Sequence, residues 1–291
     1  MEGLSVDEIV EEVLEAYKPL KAIQRLGKIL CLLEKKYQIT NKHKKNYQSE
    51  HTHPNCPFRE DEGIKCYECE VPFCFMRLVE NDVIAHRSKI AKLEKIGQKL
   101  LKEVPLWEDW LRPYVKGVGH GLTLRLLGWL DFDRAKHPSS FWAYAGYTTE
   151  ARKKQKYNHT LKGVCVRQAM SFLGIRRITP AFIANPTPRL DGGYARFFKM
   201  VRNKANEKYP DWTRRHKLMH SMAVMMKLYL AHLFIVQNFM ENNIAAVHYA
   251  VAHLGEDYIY MPVIDNTDEP PRWWDQLAEE YRKMKVKPVR I

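Results

Sequence analysis

LMHSMAVMMKLYLAHLFIVQNFM, residues Leu218–Met240, is an apolar stretch long enough to raise the question of a membrane-spanning helix. Lys227, His220 and His232 interrupt the stretch, and neither end has the interfacial and charge pattern expected of a membrane span. We therefore predict a central helix that is enclosed by other helices, and no membrane association. Its five methionines are expected to fill gaps in the core.

Helix signals extend through most of the remaining sequence, and alternating β-branched runs are few. Ser5 and Glu8 have the spacing of a capping box at the start of a first helix. Apolar spacing from Phe75 to about Val104 predicts a long helix that Pro105 ends. Between these helices, the basic segment Asn41–Asn55 is predicted to be a linker.

Four cysteines within 19 residues form the first strong chemical signal. They are Cys56, Cys66, Cys69 and Cys74. This set, with its CxxC pair, predicts a closed tetrahedral zinc site that folds a polar loop. His51 or His53 could replace one ligand, and an iron–sulfur cluster uses the same ligands. The isolated Cys31 and Cys165 are instead predicted to be buried thiols.

The second signal is VKGVGHGLTLRLLGWL, residues Val115–Leu130, which follows the short helix signal WEDWLRPY. Its three closely spaced glycines predict a tight turn between two helices, whose backbone N–H groups could face an anion. This arrangement is typical of a helix-hairpin-helix, which contacts the phosphate backbone of DNA without reading bases. A turn without a ligand is the alternative. The predicted contacts in this turn are Lys116, Gly117, Gly119, His120 and Gly121.

The charge of the chain is concentrated in one region. The 291 residues carry 47 Lys and Arg against 34 Asp and Glu, a net charge of +13. Residues 151–217 hold 17 basic and 3 acidic residues, a local charge of +14. This regional excess favours a binding surface for a polyanion. The predicted phosphate contacts in it are Arg152, Lys153, Lys154, Lys156, Lys162, Arg167, Arg176, Arg177, Arg202 and Lys204.

These residues also carry a resemblance to a known family. GVGHGLTLRLLGWLDFDRAKHPSSFWAYAGY, from Gly117 to Tyr147, resembles the C-terminal domain of insertion-sequence transposases that have a RuvC-like acidic N-terminal domain, a group that includes the pilin-gene invertase. The matching positions are Asp131, Ser139 or Ser140, Ala143 to Gly146, Lys162, Gly163, Arg167, Asn185 and Pro186. The likeness covers roughly residues 107–240. It implies a transposase-derived protein that binds DNA. It also implies that the source is a prokaryotic mobile element, plasmid or virus, with archaeal or viral origin expected.

Two features of the family have no counterpart in this sequence. No serine occurs between Gly146 and Gly163, where the family carries its nucleophile. Residues 1–105 are predicted to be helical with a cysteine insert, unlike the strand-rich acidic nuclease domain of the family. We therefore predict binding without catalysis and no catalytic residue. An active recombinase or nuclease that uses Asp131, Asp133 or a hydroxyl of residues 157–160 is the alternative.

The sequence as a whole predicts a mainly α-helical bundle with a helix-hairpin-helix and a small zinc-binding loop held by four cysteines. We expect a helical segment at 1–46, the metal-binding insert at 47–76, a DNA-binding domain at 77–255 and a tail with a short helix at 256–291. Within the domain, the hairpin covers 107–130 and the basic region 151–217. The acidic first residues predict no secretory signal and a cytoplasmic protein.

Double-stranded DNA is the predicted partner. Phosphate contacts alone do not exclude RNA, and a scaffold for a protein partner is a further alternative. The tail helix after Pro270 and Pro271 could dock on the body of the protein, which is the default, or on a second subunit in a homodimer.

Overall fold

The computed structural model describes residues 5–14, 18–50, 73–154, 156–247, 251, 257–265 and 269–291, without the side chains of 12, 14, 43–50, 73–80 and 152. The described chain is mainly α-helical, as predicted. Its helices are α1 (Val6–Leu14), α2 (Pro19–Glu50), α3 (Phe73–Leu101), a π-helical turn (Leu106–Leu111), α4 (Arg112–Tyr114), α5 (His120–Trp129), α6 (Pro138–Tyr144), α7 (Thr149–Lys153), α8 (His159–Phe172), α9 (Pro180–Ala184), α10 (Gly193–Lys208), α11 (Arg214–Asn242) and α12 (Arg272–Lys283).

Helix α1 begins with the predicted capping box. The backbone N–H of Ser5 donates to the Glu8 carboxylate at 2.5 Å, and the N–H of Glu8 donates to Ser5 Oγ at 3.2 Å. Two of the backbone N–H groups that a helix start leaves without partners are thereby satisfied. The bonds from Ser5 lower the pKa of the Glu8 carboxyl. Ile9 and Val13 on the other face are buried.

The predicted linker at Asn41–Asn55 is wrong over its first ten residues, because α2 continues to Glu50. These residues are mostly Lys, Gln, Glu, Asn and Tyr, and none is Gly or Pro. Most of them have moderate or good helix propensity, so the helix can continue without an apolar stripe. The predicted helix from Phe75 to about Val104 is confirmed as α3, which ends at Leu101.

Helices α2 and α5 cross in close contact at two glycines. A Cβ placed on Gly128 would lie 2.6 Å from the carbonyl carbon of Gly27 and 2.7 Å from the backbone nitrogen of Lys28. Beside this crossing, Arg125 on α5 forms ion pairs of 2.7 Å with both Glu34 of α2 and Glu94 of α3. Burial lowers the pKa of the Arg125 guanidinium, but the two carboxylates outweigh it and raise the pKa. This buried cluster ties the three helices together.

Helix α11 is the predicted central helix of the core. Among the helices that the structure describes, only α11 is long and apolar enough to cross a membrane, and 72% of its most apolar window is buried inside the protein. His232 on this helix is fully buried, with Tyr194 Oη 2.9 Å from Nδ1 and the Tyr260 carbonyl oxygen 2.9 Å from Nε2. Since a carbonyl only accepts, Nε2 donates to Tyr260 and Nδ1 accepts from Tyr194. The histidine therefore fixes α11 to α10 and to the C-terminal segment.

The C-terminal segment docks on the body of the protein. Two short parallel strands, β1 (Tyr258–Tyr260) and β2 (Lys287–Val289), flank α12 in the chain. Tyr281 of α12 is fully buried near the end of α11 and donates from its hydroxyl to the Ala246 carbonyl at 2.6 Å. The strands have no counterpart in the predicted tail, which was expected to contain only a short helix.

Candidate nucleic-acid interface

The glycine turn lies between α4 and α5 and is anchored from one side. Gly117 has a positive φ of 85°, and a Cβ there would lie 2.9 Å from the backbone of Phe172 at the end of α8. The Gly117 carbonyl accepts hydrogen bonds from Ser171 Oγ at 2.7 Å and from Gln168 Nε2 at 3.0 Å. Glycine is therefore required here both for the backbone conformation and for the close approach of α8.

Asp265 holds the same turn through its carboxylate. The side chain is only 1% exposed and accepts from the backbone N–H of Lys116 at 2.9 Å and of Gly193 at 2.6 Å. The expectation that the N–H groups of the turn face an external anion is wrong for Lys116, because its N–H is used internally. Sequence reasoning missed Asp265, which lies 149 positions away along the chain from Lys116 and has no local pattern.

The other side of the turn is open. No heavy atom lies within 4 Å of a Cβ placed on Gly119, and His120 is exposed. Along α5, Thr123 is the first residue whose backbone N–H has a described backbone acceptor, the Gly119 carbonyl at 3.0 Å. The N–H groups of His120 and Gly121 thus belong to the first turn of α5, which leaves its donors to solvent or a ligand.

Most cations of the basic region lie on the surface. Ten of them are exposed and have no carboxylate within 4.0 Å in the described part of the chain. They are Lys153, Lys156, Arg176, Arg177, Arg189, Lys199, Lys204, Lys208, Arg214 and Arg215. Solvated helices usually carry acidic partners one turn away, and these helices largely lack them.

Four of the predicted contacts are engaged within the protein. Lys154 pairs with Glu150 at 2.6 Å, and Arg167 contacts Glu34 at 3.4 Å. Arg202 is only 7% exposed. Lys162 lies 3.4 Å from the Gly146 carbonyl oxygen and over the Tyr157 ring. The side chain of Arg152 lies outside the described residues.

An aromatic stack lies at the start of α11. The ring of Trp212 stacks on Tyr209 with centroids 4.0 Å apart and on His216 with centroids 4.1 Å apart. Trp212, His216 and Lys162 line one cavity of about 350 Å³. Sequence reasoning did not select Trp212, although aromatic residues interleaved with basic ones in YPDWTRRH are a pattern found in nucleic-acid sites.

Helix α8 connects the glycine turn with the start of α11. Ser171 near its C-terminal end binds Gly117, whereas Lys162 near its N-terminal end shares a cavity with His216. The rise of an α-helix separates these two positions by about 14 Å. We call the exposed cations that flank this cavity in the chain, Lys153, Lys156 and Lys208, the basic end.

The predicted metal site cannot be compared with the structure. Cys56, Cys66 and Cys69 lie outside the described residues, as does the side chain of Cys74. Among the residues that are described, no three His, Cys, Asp or Glu side chains cluster as metal ligands. The prediction that Cys31 and Cys165 are buried thiols is confirmed, and burial raises the pKa of the Cys165 thiol to about 12.

The alternative catalytic residues Asp131 and Asp133 have structural partners, and so do His216 and His220, which lie one turn apart on α11 and could together bind a metal. Asp131 accepts from the backbone N–H of Arg134 at 3.2 Å, and both Asp131 and Asp133 contact the Lys21 ammonium. His216 stacks on Trp212, and His220 meets the edge of the same ring at a centroid distance of 5.3 Å.

Comparison with known proteins gives no relative: no protein-family model, curated protein or solved structure matches this chain.

Proposed function

We propose that this protein binds the phosphate backbone of double-stranded DNA, with the basic end as the main contact surface. The observation that carries the proposal is the set of exposed cations without carboxylate partners in the described chain. Neutralised phosphates release condensed counterions, so each such cation contributes to affinity without reading sequence. The protein is expected to bind DNA non-specifically or with weak sequence preference.

The glycine turn supplies a second contact in this proposal, acting as a helix-hairpin-helix. Its open side carries the first-turn N–H groups of α5 and the exposed His120. The roughly 14 Å of α8 between Lys162 and Ser171 is less than half of one turn of B-DNA, which is about 34 Å. One duplex could therefore contact both surfaces without bending.

The resemblance to the transposase domain supports the same function. The resembling residues 107–240 include the glycine turn, α8 and the whole basic region. We propose a transposase-derived protein that has kept DNA binding, with a structural zinc held by Cys56, Cys66, Cys69 and Cys74. Metal analysis of the purified protein should find about one zinc per chain, and iron with acid-labile sulfide would indicate a cluster instead.

Fluorescence anisotropy with three labelled probes tests the proposal: a duplex DNA, a single strand and a structured RNA. The variant Lys153→Gln/Lys156→Gln removes two charges at the basic end. The matched control Arg282→Gln/Lys287→Gln removes two exposed charges near the opposite end of α11. Arg214 at the start of α11 and Phe239, against which the C-terminal segment packs, are separated by about 38 Å of helix, which is well beyond a Debye length of about 8 Å at physiological salt.

The expected result is duplex binding that weakens in the first variant and not in the control. Tighter binding of the RNA would indicate that RNA, and not duplex DNA, is the ligand. Equal losses in both variants, or no binding to any probe at moderate salt, would refute the proposal. Incubation of the duplex with Mg²⁺ or Mn²⁺ belongs to the same experiment, because cleavage or a covalent adduct would favour the recombinase or nuclease alternative.

A further inference from the structure

A second cavity, of about 420 Å³, opens between α9, α10 and the first turns of α11. We call it the α10–α11 cavity. Its polar lining includes Asn185, Lys199, Arg202, Asn203, Arg214 and Lys217. It shares no lining residue with the cavity beside Trp212.

The charge of the α10–α11 cavity is entirely positive. Four of its lining residues are Lys or Arg, and none is Asp or Glu. In the described part of the chain, no carboxylate lies within 4.0 Å of any of these four cations. The asparagines add amide donors, so the wall is built for an acceptor-rich ligand.

Arg202 is the decisive residue of this wall. The residue is 7% exposed, and its described hydrogen bond is a single one, from Nη1 to the Arg214 carbonyl at 3.2 Å. A guanidinium has five N–H donors, and a buried charge without an anionic partner is costly. Burial, followed by the charge of Arg214, lowers the pKa of Arg202. An anion in the cavity would relieve both effects.

Lys217 adds a second buried cation to the same wall. It is 9% exposed and donates from Nζ to the Pro210 carbonyl at 3.0 Å. A backbone carbonyl satisfies one of the three N–H bonds of the ammonium and leaves its charge uncompensated. Arg202 and Lys217 are thus two buried cations, and neither forms an ion pair in the described chain. They lie beside the more exposed Arg214 and Lys199, so the wall carries more positive charge than its described surroundings neutralise.

We propose that the α10–α11 cavity binds the phosphate group of a small phosphorylated ligand or of a DNA strand end. Arginine binds phosphate through two parallel N–H bonds, and its planar fork suits a buried site. The volume lies within the 300–1,000 Å³ that is typical of small-molecule pockets, so there is room for the group that carries the phosphate. None of the basic-end residues Lys153, Lys156 and Lys208 lines this cavity.

Calorimetric titration with orthophosphate and with adenosine 5′-monophosphate tests the site, and adenosine serves as the uncharged control. Arg214→Gln removes a lining charge but keeps the carbonyl that Arg202 uses. Arg215→Gln is the matched control, because this neighbour is exposed and does not line the cavity. The first variant should lose phosphate affinity about tenfold or more, since hydrogen bonds to charged groups are strong, and the control should lose little.

Arg202→Met probes the buried charge in the same titration, with circular dichroism to check that it folds. Its affinity for phosphate should fall at least as far as that of Arg214→Gln. Equal losses in Arg214→Gln and Arg215→Gln, or no phosphate binding by the wild-type protein at millimolar ligand, would overturn the proposal. If Arg202→Met does not fold, the comparison between Arg214→Gln and Arg215→Gln still tests the proposal.

Two duplexes that differ only in a 5′-phosphate or a 5′-hydroxyl identify the source of the phosphate. A preference for the phosphorylated end that Arg214→Gln abolishes supports a strand end. Binding of the mononucleotide without such a preference supports a small molecule. Neither outcome depends on the basic end, because Lys153→Gln/Lys156→Gln should leave orthophosphate binding unchanged even if it abolishes duplex binding.

Discussion

Gly128→Ala should destabilise the protein, because α2 and α5 cross without room for a side chain. The added Cβ would lie 2.6 Å from the Gly27 carbonyl carbon, where an ordinary contact is about 3.5 Å or more. The helices must therefore separate by nearly 1 Å, and overpacking of this kind costs about 1–3 kcal/mol. The better helix propensity of alanine offsets about 1 kcal/mol. Because the obstruction is backbone and cannot rotate away, we expect the cost to lie near the upper end of this range, which leaves a net loss of about 2 kcal/mol.

Gly163→Ala is the matched control for this crossing. Gly163 also lies inside a helix, α8, but a Cβ there meets no atom within 4 Å. The same substitution should therefore stabilise the protein by up to about 1 kcal/mol. Thermal unfolding followed by circular dichroism compares the two variants, and opposite signs of the change in Tm are expected. A Gly128→Ala variant as stable as Gly163→Ala would refute the close crossing of α2 and α5.

Three further predictions address the core and the buried thiol. Arg125→Met should lower the free energy of unfolding in urea by about 3 kcal/mol, since Glu34 and Glu94 lose their buried partner; a loss below about 1 kcal/mol would contradict this. Tyr281→Phe removes a buried hydrogen bond and should cost about 1 kcal/mol in the same assay, and an unchanged midpoint would count against the docking of α12. Burial raises the pKa of Cys165 to about 12, so iodoacetamide should leave Cys165 unlabelled in the native protein from about pH 7 to about pH 10. Peptide mapping measures the labelling, and rapid labelling of Cys165 would contradict this prediction.

Local patterns in the sequence predicted much of the helical fold. The capping box at Ser5 and Glu8 and the apolar composition of Leu218–Met240 both depend on neighbouring residues, and both predictions are confirmed. The linker prediction at Asn41–Asn55 is wrong over Asn41–Glu50, because a polar composition does not by itself exclude a long helix, and residues 51–55 lie outside the described part of the chain. Propensity without Gly or Pro was the better guide over Asn41–Glu50.

The candidate surface was harder to predict, because its details depend on contacts between distant segments. The anchoring of Lys116 by Asp265 has no local signal. The burial of Arg202 did have a local signal. Arg202 lies four residues after the buried Phe198, on the same face of α10, whereas Lys204 lies on an exposed face. Helical spacing could thus have predicted that Arg202 is buried and Lys204 exposed, a difference that composition alone does not show.

The salt dependence of duplex binding tests the central proposal most directly. About six phosphate contacts would give a slope near −5 for the logarithm of the binding constant against that of the salt concentration. Lys153→Gln/Lys156→Gln should reduce the magnitude of this slope by about 2, since each contact contributes about 0.9. Arg282→Gln/Lys287→Gln should leave the slope unchanged. A wild-type slope near zero, or the same change in both variants, would contradict DNA binding through the basic end.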